Sequence, residues 1–83
     1  MQHYIPIQAL DLERLRLAEQ GVAESEDLVR RQRDLIVQSQ ADGLARVLAK
    51  ILLSEFEETL ARQTADRDRI RARLGEKDLH RVE

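Results

Sequence analysis

The chain has 83 residues, 36% of them charged, and a net charge of −2. This length holds one small domain and no more. A single Tyr, a single Phe and no Trp exclude the stacking platforms of single-strand nucleic-acid binders and aromatic-lined ligand pockets, and a near-balanced charge removes the positive field that duplex binding needs. Three Gly and one Pro are too few turn residues for a sheet, whereas Ala, Leu, Glu, Arg and Gln in abundance suit long helices. The absence of cysteine rules out disulfides, thiolate nucleophiles and cysteine zinc sites.

The first seven residues have neither a basic leader segment nor a long apolar stretch, and the longest apolar runs, Leu35-Ile36-Val37 and Ile51-Leu52-Leu53, are far too short to span a bilayer. The expected location is cytoplasmic. A first helix is predicted over about 9–39, beginning between Gln8 and Asp11, with Pro6 just upstream and the Asp11 side chain capping free N–H groups. Two apolar rows run along it. Leu15, Ala18, Val22, Val29 and Ile36 form one, and Leu10, Leu17, Leu28 and Leu35 another about a quarter turn away, with Gly21, Ser25, Gln32 and Ser39 between them. Such a face is too wide for one partner helix.

Residues 40–43 carry the break, Gln40-Ala41-Asp42-Gly43, with Asp42 placed to cap a second helix over about 44–74. A lone Gly does not compel a turn, so one continuous helix is the alternative to a hairpin. Ala45, Leu48, Ala49, Leu52 and Phe56, continued by Leu60, Ile70 and Leu74, make one face, while Leu44, Val47 and Ile51 lie on an adjoining arc. Arg71 and Arg73 suit the negative end of this helix, Gly75 its C-terminal cap, and 75–83 a frayed tail. A hairpin turning near Asp42 pairs positions that sum to about 84, which sets Phe56 near Leu28. The fold class is therefore an all-α antiparallel hairpin of two long helices. Its second apolar arc calls for self-association, a dimer forming a four-helix bundle, with Leu15, Val22, Val29 and Ile36 and with Leu44, Val47, Leu48 and Ile51 at the interface.

Chemistry is sparse. His3 and His80 stand alone at opposite ends, Glu55, Glu57 and Glu58 read as a solvated acidic face without the Glu-x-x-His pattern of di-iron bundles, and no phosphate loop or nucleophile motif occurs. The expectation is no catalysis, no metal and no cofactor. Twelve of the fourteen basic residues are Arg. Arg30, Arg31 and Arg33, and the series Arg67, Arg69, Arg71 and Arg73 interleaved with Asp66 and Asp68, read as ion-paired helix surface in preference to a phosphate-binding stripe. Mixed-sign polar faces likewise argue against membrane attachment. Gln32 and Gln63 interrupt the apolar stripes and are expected to fix register.

The spacing of Leu17-Ala18-Glu19-Gln20, Arg31-Gln32-Arg33, Gly43, Leu52-Leu53, Phe56-Glu57-Glu58 and Asp66-Arg67-Asp68-Arg69 resembles a set of short uncharacterised α-proteobacterial proteins, abundant in rhizobia, over residues 10–74. The resemblance implies a helical hairpin of unknown function and supplies no activity or partner. Such relatives often carry His where this chain has Gly21 and Gln63, two positions that the hairpin sets opposite each other, and a polar Asp-Thr cap where it has Leu44-Ala45. The expectation is a non-catalytic helical oligomerisation or protein-interaction module, partnered by a second copy or by an unidentified protein. The alternative is a small nucleic-acid-associated regulator, which the Arg runs motivate.

Overall fold

The computed structural model describes residues 7–40 and 42–81. Two helices account for nearly all of them: α1, Ile7–Gln38, and α2, Gly43–Arg81. They pack against each other as an antiparallel hairpin with extents of 62 × 30 × 15 Å. Helices of 32 and 39 residues rise about 48 and 58 Å at ~1.5 Å per residue, so the pair spans the long axis of the molecule.

The turn is closed, and Gly43 closes it. Its φ of 63° lies in the left-handed region, the one positive φ among the described residues. Any L side chain pays a steric penalty there, while Gly does not. The Ser39 N–H still donates to the Leu35 carbonyl at 2.8 Å, so the helical ladder persists one residue past α1 before the chain reverses.

Two boundaries differ from the sequence reading. Asp11 is no cap, because α1 starts at Ile7 and Asp11 sits in its second turn, 2% exposed. Gly75 is no terminus either, since α2 continues through it to Arg81 where a frayed tail was expected. An isolated glycine costs a helix only about 1 kcal/mol relative to Ala, and nothing after it compels a stop. Pro6 and His3 lie outside the described residues, as does the side chain of His80.

Burial shows which stripe each helix turns to its neighbour. In α1 it consists of Asp11, Leu15, Ala18, Val22, Ser25, Val29, Gln32 and Ile36, at alternating spacings of four and three. In α2 the matching stripe is Ala49, Leu53, Phe56, Leu60, Gln63, Arg67, Ile70 and Leu74. This is the narrow seam of an antiparallel coiled coil. Val22 and Val29, each 4% exposed, are its only buried hydrophobic residues. Four of the residues expected between chains lie along this seam. Val22 and Val29 are buried, and Leu15 and Ile36 partly buried, inside a single chain, because their row is the one that α2 covers.

Candidate interaction surface

The seam is polar at several levels, and each polar group there is held. Gln32, 8% exposed, donates its Nε2–H to the Ala49 carbonyl at 2.9 Å. Two turns away, the buried Ser25 hydroxyl donates to Oε1 of Gln63. The Gln63 amide also fills the space beside Gly21, where an added Cβ would lie 3.4 Å from its Nε2. Gly21 and Gln63 are therefore opposite each other, as the hairpin arithmetic required. Toward the open end, the Oδ1 of Asp11 lies 3.7 Å from Arg14 and 3.8 Å from Arg73. No buried side-chain nitrogen or oxygen among the described residues lacks a hydrogen bond. These layers penalise any slip of α1 against α2, since a slip would strand buried polar atoms at about 1–3 kcal/mol each. Both glutamines thus sit where a register role needs them.

The two broad faces beside the seam differ in kind. A quarter turn to one side of it, α1 presents Glu19, Glu26 and Arg33 and α2 presents Lys50, Glu57 and Arg71. Arg33 meets Glu57 at 3.5 Å and Arg71 meets Glu19 at 3.3 Å, bridging the helices across this face. On the opposite side the same geometry sets Gly21, Leu28 and Leu35 of α1 beside Ala45, Leu52 and Thr59 of α2. Leu28, Leu35 and Leu52 are 44, 60 and 40% exposed. Leu48 lies on the outer rim of this face at 55%. Near the turn the face dips into a cleft of about 190 Å³ between Leu35, Ile36, Ala45 and Ala49, with Gln32 and Arg46 at its sides.

The second expected interface group is only partly on this face. Leu44, Val47, Leu48 and Ile51 are all exposed, by 72, 51, 55 and 50%. Leu44 and Ile51 point directly away from α1, Val47 turns toward the charged side, and Leu48 alone joins the apolar face. Leu28, Leu35 and Leu52, which the sequence reading did not place among its interface residues, are the exposed leucines of this face. Their row was recognised, but which of the two α1 rows would be covered within the chain was not.

The arginine runs are occupied. Arg30 and Arg31 both bond to Asp27, Arg69 to Asp66, Arg67 to Asp68, Arg71 to Glu19, and Arg73 lies beside Asp11. Arg67, 23% exposed, lays its stem along the seam and brings its head out to Asp68. Near the start of α1, Arg16 grips Glu13 with two hydrogen bonds, of 3.1 and 2.7 Å. That grip holds the Glu13 carboxyl below its ordinary pKa and raises that of Arg16. Among the described residues no group of three or more His, Cys, Asp or Glu side chains is placed to hold a metal ion, and no helix is long and apolar enough to cross a membrane. No protein-family model, curated protein or solved structure matches the chain.

Proposed function

We propose that the chain is a non-catalytic helical module that works by protein association, in the cytoplasm, with self-association into a dimer as its principal mode. The observation that carries this reading is the sidedness of the hairpin. One broad face is bridged by ion pairs, and the opposite one carries Leu28, Leu35, Leu48 and Leu52 exposed by 40% or more. Single exposed leucines are ordinary, but a cluster on one side of a thin two-helix core is an association surface. A chain of this size whose described residues include two buried hydrophobics, Val22 and Val29, has little core in its hairpin, and a partner supplies further burial.

A nucleic-acid regulator has less support. Most guanidiniums in the two arginine runs already bond to a carboxylate, which leaves no one-signed stripe for a phosphate backbone.

The test is light scattering together with thermal melting at several protein concentrations. Self-association predicts a mass of at least twice 9.6 kDa and a melting temperature that rises with concentration. The substitution Leu35→Glu with Leu52→Glu should abolish both effects. A monomer at every concentration up to the millimolar range, with melting indifferent to concentration, refutes the reading.

A further inference from the structure

Resting on that reading, we infer that the occupant of the apolar face is a second copy seated with its turn at the same end, about a two-fold axis parallel to the helices. In this arrangement α1 of each chain lies over α2 of the other. Intrachain contacts give which levels coincide: Asp11 with Arg73, Gly21 and Ser25 with Gln63, Gln32 with Ala49, Arg33 with Glu57 and Glu19 with Arg71 have residue sums from 81 to 90, centred near 86. Any α1 residue on the shared face therefore meets an α2 residue of the partner at a sum near 86.

At that register Leu35 packs on the partner's Leu52, and Leu28 comes level with the partner's Thr59. The outer rims carry the stronger argument. Glu24 and Arg31 on the rim of α1 come level with the partner's Arg62 and the partner's Glu55, which gives two opposite-charge pairs on each of two edges. Glu24, Glu55 and Arg62 form no ion pair within the chain among the described residues. Glu24 accepts only a hydrogen bond from Gln20 and Arg62 donates one to Thr59, while Arg31 is held by Asp27 at 2.9 Å on its own helix.

The other two-fold arrangement runs the hairpins in opposite directions and lays α1 over α1. Matching Leu28 with the partner's Leu35 then centres the axis beside Arg31 and sets Arg31 against the partner's Arg31, a like-charge contact. Charge complementarity decides for the parallel axis. The area is also adequate. A strip two helices wide, roughly 20 Å, and half of the 62 Å length covers about 600 Å² per chain, near the lower bound of roughly 1,200 Å² in total for a stable specific interface. Beyond Gly21 the same face carries Arg14, Asp66 and Arg73, so the contact is confined to the turn half.

Cross-linking tests the arrangement, because the chain has no cysteine of its own. The variant with Glu24→Cys and Arg62→Cys should form dimer-sized disulfide-linked species under mild oxidation, and Arg31→Cys should not. In a separate series, Glu24→Arg or Arg62→Glu alone should weaken dimerisation about tenfold, each substitution altering two symmetric rim pairs, and the two together should restore it. A dimer that cross-links through Arg31→Cys, or whose charge-reversal double variant is weaker than either single one, overturns this arrangement while leaving association intact. A wild-type monomer at all concentrations overturns both.

Discussion

Phe56 is the largest side chain of the seam, and truncating it measures how much of the hairpin's stability resides there. Full burial of a Phe makes Phe→Ala cost about 3–5 kcal/mol. In the structure Phe56 is only partly buried, since a two-helix seam covers one side of the ring and leaves the other toward the flank. The expected loss for the hairpin is accordingly about 2–3 kcal/mol, within a total stability on the order of 5–10 kcal/mol. For a domain of this size that corresponds to a fall in melting temperature of roughly 10–20 °C. Circular dichroism melts of wild type and Phe56→Ala at equal concentration read this directly. A shift of under about 3 °C would remove Phe56 from the seam and, with it, the pairing of α1 and α2 at a residue sum near 86.

Glycine substitutions separate a required conformation from a tolerated one. Gly43→Ala should destabilise by about 1–2 kcal/mol, because φ is 63° there although nothing crowds the position, whereas Gly75→Ala should stabilise by about 0.5–1 kcal/mol in open helix. Equal and same-signed effects in urea melts would contradict both assignments. Gln32→Leu should leave stability within about 1 kcal/mol of wild type, since a lost hydrogen bond to the Ala49 carbonyl is offset by apolar burial, but it should broaden seam resonances in NMR spectra as register is relaxed. A fall of more than about 10 °C in melting temperature would show that the amide is structurally indispensable. Because the folded pKa of Glu13 is lowered, its contribution is present above the unfolded carboxylate pKa and lost as pH falls through the folded value. An NMR titration should find the Glu13 midpoint below that of an unperturbed Glu, and Arg16→Ala should return it.

Helical periodicity and the scarcity of turn residues were enough to determine an all-α chain with a candidate break at 40–43, because those signals are local, each depending on residues within a turn or two of one another. That the break is a closed turn and not a continuous helix was decided by the structure, at Gly43. The pairing sum near 84 followed from the position of the turn alone, and with it the juxtaposition of Gly21 and Gln63. What local pattern could not decide was allocation. Two apolar rows of similar strength run along α1, and only the packed hairpin shows that α2 covers Val22 and Val29 and leaves Leu28 and Leu35 in solvent. The same holds for Asp11, whose residue type suits a cap but whose position on the seam stripe buries it beside Arg14 and Arg73. Gly75 offered a stop signal that α2 passes through, since a glycine permits a helix to end without compelling it. Which of two similar faces is buried depends on the rotation of one helix about its axis against the other. That rotation is set by the sum of weak polar and apolar contacts across the seam, a quantity no single helix contains.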